Sequence, residues 1–261
     1  PEQTIEEVLD KEVQAIPVFL PDDEVARLFE RRDLISAPVV NDQGTLLGRI
    51  TIDDVVDVII EDADHSLMSM AGLGENDDTF APVFSSAKRR ALWLGINLIT
   101  VMVAASVIGV FEETIAAVTA LAILQPIVPS MGGVAGTQSL TLVIRGLGMG
   151  HISDTNFRWL MMKELGVSIL NGILWALVVG LSVYFWFHFI QGSPHAPYLG
   201  LTIGGAMVIN LIAGATLGAA LPVILKKMDI DPALSGGVIL TTVTDMVGFF
   251  AFLGLATVFF I

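Results

Sequence analysis

Asp245 is the residue of this sequence with the most distinct chemistry. It lies in TTVTDMVGFF, inside the last hydrophobic run of the chain, where an ionised carboxylate is stable only against water, a cation or a polar partner. No Lys or Arg stands near the centre of any hydrophobic run to neutralise it. Thr241 precedes it by one helical turn on the same face, with Gly237 and Gly248 near that side, so a hydrated cation can approach the carboxylate and the backbone carbonyl beside it. The other reading of this position is a protonated carboxyl hydrogen-bonded to an adjacent helix. A second set of carboxylates, Asp53, Asp57, Glu61 and Asp64, recurs at steps of four, four and three and shares one stripe of a helix. Like charges at this spacing cost an isolated helix about 0.2–0.5 kcal/mol per pair. The stripe is either a solvated face or one side of a divalent-cation site completed by a neighbouring acidic surface.

Between these sets lies QPIVPSMGGVAGTQSLTLVIRG, residues 125–146, a break of Pro, Gly, Ser and Gln inside a run long enough to cross a bilayer. Pro126 and Pro129 remove backbone donors, and Gly132, Gly133 and Gly136 leave the backbone uncovered. At membrane depth that is tolerable only where protein or a water-filled cavity surrounds it. We expect a distorted helix lining a polar pathway, with Pro126, Gly132, Gly133, Gly136 and Gln138 as candidate lining residues. A Pro-kinked span whose glycines serve only helix packing is the alternative.

The elements that must position these groups fall into two parts. With 54% hydrophobic residues among 261, the chain is too apolar for an ordinary soluble domain. Residues 1–87 hold 20 of the 27 acidic and 5 of the 13 basic side chains, a net −15, whereas residues 88–261 are at +1. The acidic part repels nucleic acid and attracts cations. The absence of cysteine excludes disulfides and thiol chemistry. No secretory signal opens the chain, and its start at Pro1 leads us to expect native sequence before it. Five spans are expected, at about 91–111, 115–145, 164–190, 198–225 and 234–261. Lys88, Arg89, Arg90, Arg145, Arg158, Lys163, Lys226 and Lys227 then all fall on one side, which places the N-terminal part in the cytoplasm and the C-terminus outside. Tyr184 to Phe189 suit an interfacial aromatic belt, with His188 as an interface residue. Asn97, Asn171 and Asn210, each in a different span, suit interhelical hydrogen bonds.

The acidic part alternates strand and helix patterns. Residues 12–20 read as extended, 22–33 as an amphipathic helix burying Val25, Leu28 and Phe29, and 36–40 as a strand. The turn at 41–44 leads to TLLGRIT and a helix from about Asp53. Thr51 and Asp54 have the spacing of a capping box. We divide the chain into an α+β module at 1–64, a connector helix and hinge at 65–90, and a five-helix membrane domain at 91–261.

GTLLGRITIDDVVDVI resembles the closing signature of a CBS domain. That resemblance implies tandem pairing and an adenosine nucleotide such as ATP, with Thr51 and Asp54 near its ribose. The motif P-x5-G-G-x-x-G-x-Q from Pro126 to Gln138, together with K-E-L-G at 163–166, D-P-A at 231–233 and T-x-x-T-D at 241–245, resembles the MgtE family of magnesium channels. The order of CBS module, connector and five spans is similar too. The resemblance implies a homodimer in a bacterial plasma (inner) membrane, with the pore along the dimer axis. Asp245 would hold hydrated Mg²⁺ with the Thr241 backbone beside it, and the acidic module and a connector plug would close the pore when internal Mg²⁺ is high. Where the family has Asn after the paired glycines, this sequence has Val134. The competing expectation is a secondary transporter of another divalent ion, Mn²⁺, Co²⁺ or Ni²⁺, or a proton-coupled carrier. H-E-x-x-H and G-x-S-x-G are absent, and we expect no enzyme.

Overall fold

Among the described residues, three short strands and two helices make up the N-terminal part of the fold. In the computed structural model, which describes residues 14–74, 79–153 and 155–261, the chain forms two compact units, Pro1–Leu67 and Met68–Ile261. The elements of the first are β1 (Ile16–Pro17), α1 (Asp22–Arg32), β2 (Ser36–Val40), β3 (Leu46–Thr51) and α2 (Ile52–Met70), the last running on into the second unit. β2 is central, parallel to β1 and antiparallel to β3, with Ser36 opposite Thr51 and Ala37 opposite Ile50. The β2–β3 turn closes because the Asn41 side chain accepts the amides of Gln43 and Thr45 at 3.0 and 2.8 Å, while Gly44 takes a φ of +76°. Val25 and Phe29 of α1 are buried with Ile16, Ala37 and Val55, and Leu28 packs at the edge of that core. The extended segment expected over 12–20 shrinks to the two residues of β1. Pro17 has no ladder donor and its carbonyl accepts the Leu20 amide at 3.0 Å, closing a turn. Residues 12 and 13 lie outside the described residues.

α2 continues through Met70, a turn follows at 71–72, and the next helix begins at Val83. Among the described residues no separate helix stands between them. The connector expected over 65–90 therefore divides into the end of α2, a turn and the start of the first membrane helix; its residues 75–78 lie outside the described residues.

The second unit contains α3 (Val83–Val110), α4 (Glu112–Ala117), α5 (Ala120–Leu124), α6 (Ile127–Gly148), α7 (Phe157–Phe185), a π-helical turn (Trp186–Ile190), α8 (Ala196–Lys227) and α9 (Pro232–Phe260). Among the described residues five stretches are long and apolar enough to cross a membrane: Val83–Val110, Ala120–Gly148, Phe157–Ile190, Ala196–Lys227 and Pro232–Phe260. The protein is thus an α-helical integral membrane protein with a small α+β module ahead of the spans. The first and third helices start earlier than hydropathy suggests, because Lys88 to Arg90 and Arg158 to Lys163 ride within about their first two turns.

α8 is the central helix, packed against α6, α7 and α9. Its small residues allow this. Gly214 and Gly218 face the backbone of Gly132 and Gly136 in α6, while Gly200 and Gly204 face Gly180 and Ala176 in α7. With no hydrophobic driving force between helices in lipid, such close backbone approach supplies the packing. A layer including Leu121, Leu124, Val128, Leu199, Ile203, Phe252 and Leu253 fills one end of the bundle.

Candidate cation site

α9 carries the site, and its start is well determined. The Asp231 carboxylate accepts the Ala233 amide at 2.9 Å, and Pro232 occupies the first turn, where its missing donor costs nothing. Gly236, Leu240, Thr244 and Gly248 form the buried face, which leaves Thr241 exposed and Asp245 half-buried. Asp245 lies four residues beyond Thr241, about 6 Å along the helix. Among the described residues it makes no hydrogen bond or ion pair, so the reading of a carboxyl bonded to an adjacent helix finds no partner there. The Thr241 carbonyl accepts the Thr244 hydroxyl at 3.0 Å, and the Thr241 hydroxyl donates to Gly237 O at 2.8 Å. What Thr241 offers outward is the remaining acceptor capacity of its hydroxyl oxygen.

Thr241 lines a cavity of about 270 Å³, together with Asn97 of α3, Thr137 of α6, Gly237 of α9, and Gly72 and Trp93. An octahedral hydrate contains six waters at about 30 Å³ each, roughly 180 Å³ in all, and the cavity is large enough for one. Its polar lining is hydroxyl and amide, suited to accept hydrogen bonds from coordinated water without stripping it.

The residues expected to line the pathway separate. Pro126 caps α6, and Pro129 falls in the first turn, so α6 runs as a regular helix from Ile127 and the break is confined to residues 125–126. Gly132 and Gly136 are buried against α8. Carbonyls of the two pack where Gly214 and Gly218 lack side chains, and the place of a Gly132 side chain is taken by Asn210. In the structure these two glycines, expected to line the pathway, sit in the α6–α8 seam. Gly133 faces Thr244, Gln138 is exposed, and the exposed line of α6 runs through Ser130, Val134, Thr137, Gln138 and Thr141. Thr137, not singled out from the sequence, is the polar α6 side chain that lines the cavity with Thr241, beside Leu140 of the same helix. Of the three asparagines, Asn210 alone makes an interhelical side-chain bond among the described residues, to Val128 O at 2.8 Å. A Cβ on Gly248 would come within 2.9 Å of both Asn210 Nδ2 and Pro129 Cγ, so this contact ties α6, α8 and α9 together one turn from Asp245. His188 stacks on Tyr184 with ring centroids 5.3 Å apart.

In the module, Asp53, Asp57, Glu61 and Asp64 are all exposed on α2. The Asp54 carboxylate accepts both the Thr51 amide (2.9 Å) and hydroxyl (3.0 Å), the backward half of a capping box. The Thr51 hydroxyl beside Asp53 holds its carboxyl below the usual range. Asp62, outside the stripe, is pushed up by burial and then by Asp22 and Asp23 of α1. Among the described residues no three acidic or histidine side chains are grouped closely enough to hold a metal ion.

Five membrane-length helices among the described residues, with a carboxylate that has no partner among them one turn from a hydroxyl-lined cavity, have the make-up of an ion-transport protein. Residues 125–255 match the MgtE family, described as divalent cation transporters, and residues 5–61 match the CBS domain. The chain belongs to the MgtE family. It is 32% identical over 259 residues to a magnesium transporter MgtE of Bacillus subtilis and 31% identical over 262 residues to that of Thermus thermophilus, covering 99% and 98% of this chain. A relative of the same name from Enterococcus faecalis is 28% identical over 255 residues. The chain spans 56% of the length of the first two relatives.

Proposed function

We propose that this protein carries Mg²⁺ across the membrane as a channel, with Asp245 as the ion-binding residue. The observation that carries this reading is the Asp245 carboxylate, which has no partner among the described residues, one turn from Thr241 and its polar cavity, in a chain whose relatives are named magnesium transporters. Mg²⁺ sheds first-shell water reluctantly and is commonly held by one or two carboxylates acting on its hydrate. A homodimer with its two-fold axis along the pore brings two Asp245 side chains to one ion. Val134 stands on the exposed line of α6 and adds no acceptor, so selection falls to Asp245, Thr241 and Thr137. Mg²⁺ flux into liposomes tests the reading. A channel conducts without an imposed pH gradient, whereas a flux that requires one marks a proton-coupled carrier, possessing the same carboxylate in a different role. No catalytic role is proposed.

The segregation of Lys and Arg supports a cytoplasmic module and an external C-terminus, and the bacterial plasma (inner) membrane is what membership of the family implies. The cysteine-free chain allows a direct check. Ser193→Cys should react with an impermeant thiol reagent from outside and Ser153→Cys only from inside; the reverse pattern overturns the orientation.

The acidic module is proposed to sense cytoplasmic Mg²⁺. Its carboxylates repel across a two-fold interface until divalent ions bridge them, and moving a closed:open ratio from 1:99 to 99:1 takes about 5.5 kcal/mol, more than one weak site supplies. Replacing Asp53, Asp57, Glu61 and Asp64 together by Asn or Gln should weaken inhibition by internal Mg²⁺ while leaving permeation intact. Unchanged inhibition in that variant removes the stripe from gating. An adenosine nucleotide at Thr51 and Asp54 would compete with the hydrogen bonds those residues already make to each other.

A further inference from the structure

Glu164 is a membrane-embedded carboxylate that the ion site does not use. It lies in the second turn of α7 and is 5% exposed. One oxygen accepts the Ser139 hydroxyl of α6 at 2.7 Å, and the other accepts Lys163 Nζ at 3.1 Å. An acidic side chain buried in a membrane helix is costly and by default marks function, with its partner as the first clue. Here the partner is on another helix. α6 and α7 both pack on α8, and Val143 and Leu147 of α6 share one apolar cluster with Phe157, Leu160 and Met161 of α7 and with Ala219 and Val223 of α8. The Ser139–Glu164 bond is the one hydrogen bond between side chains of α6 and α7 among the described residues, and charge-assisted bonds are short and directional.

Ser139 lies two residues from Thr137, so the two project from nearly opposite sides of α6. Thr137 faces the cavity that Thr241 also lines, while Ser139 is 4% exposed against Glu164. We propose that Glu164 is a positioning residue for permeation: through Ser139 it fixes the rotation of α6, and with it the place of the Thr137 hydroxyl opposite Thr241. Selectivity between hydrated divalent ions of similar size depends on where such acceptors stand, so the Glu164–Ser139 pair sets selectivity without touching the ion. This rests on the conduction reading above.

The test uses the full protein in liposomes, with Co²⁺ and Mg²⁺ influx measured separately for the parent, Ser139→Ala, Glu164→Ala, Glu164→Gln and the double alanine variant. Ser139→Ala and Glu164→Ala should shift the Co²⁺:Mg²⁺ flux ratio in the same direction by roughly two- to thirtyfold. The double variant should shift it no further, because both substitutions remove one bond. Glu164→Gln should stay near the parent ratio, since its amide carbonyl still accepts the Ser139 hydroxyl and Lys163, partly exposed, can turn to water. A parent-like ratio in Ser139→Ala overturns the inference whether or not Glu164→Ala accumulates. So does a Glu164→Gln shift as large as that of Glu164→Ala, or additive shifts in the double variant. A parent that carries neither ion, or whose flux survives Asp245→Asn, sinks the conduction reading itself and this inference with it.

Discussion

Asp245→Asn should insert and fold like the parent and lose divalent flux by roughly ten- to a hundredfold. Asn keeps the shape and one acceptor but removes the charge. Hydrogen bonds to a charged group contribute about 1.5–3 kcal/mol each, and every 1.4 kcal/mol is tenfold in occupancy. Folding should be unaffected, since Asp245 has no hydrogen bond or ion pair among the described residues for the substitution to break. The measurement is Mg²⁺ entry into dye-loaded liposomes at matched protein content. Near-normal flux with a properly inserted Asn variant removes Asp245 from the ion path. Loss of flux together with loss of monodisperse protein would instead show that the carboxylate is structural.

Gly218→Ala should be the most damaging single methyl that can be added to the bundle. Its Cβ would fall on the carbonyl of Gly136, with the Gly136 carbonyl carbon 3.0 Å and its Cα 3.2 Å away. All three are backbone atoms, so no rotamer change can relieve the overlap and α6 must move off α8. Overpacking in a close-packed interior costs about 1–3 kcal/mol even where side chains can adjust, and this site sits at the upper end or beyond. Gly166→Ala is the matched control. It too is a helical glycine, in α7, but nothing lies within 4 Å of its added methyl, and Ala is the better helix former by up to about 1 kcal/mol. Thermal melting in detergent, followed by the loss of the monodisperse peak, should drop sharply for Gly218→Ala and stay level or rise for Gly166→Ala. Equal melting of the two variants would show that the α6–α8 seam is looser than the structure has it.

Several features were legible from residue order because their causes are local. Five spans follow from the length of the apolar runs, whatever the helices pack against. The β2–β3 turn follows from Asn41 and Gly44, and the start of α2 from Thr51 and Asp54, since each bond joins residues a few positions apart. Asp245 stood out because a carboxylate in an apolar run is rare by itself. The Gly-rich stretch was ambiguous for a physical reason: glycine suits both a water-filled path and a tight helix seam. Only the positions of Gly214, Gly218 and Asn210, some 80 residues later, decided that Gly132 and Gly136 serve the seam.

Residue types and spacing by themselves thus determined the class of fold, the number of spans and the carboxylate on which transport is proposed to turn. The tertiary structure alone decided which side of each span faces inward, that Thr137 and Thr241 share one cavity, and that Glu164 is buried on Ser139. α7, α8 and α9 are apolar around their whole circumference, as membrane helices are, so hydrophobic periodicity, which reads the inward face of a helix in water, has nothing to read in lipid. Glu164 sits beside Lys163 and near a helix start, where any carboxylate would be taken for a solvated one. Its burial depends on α6 arriving alongside, a long-range contact that close packing of the small residues on α8 permits.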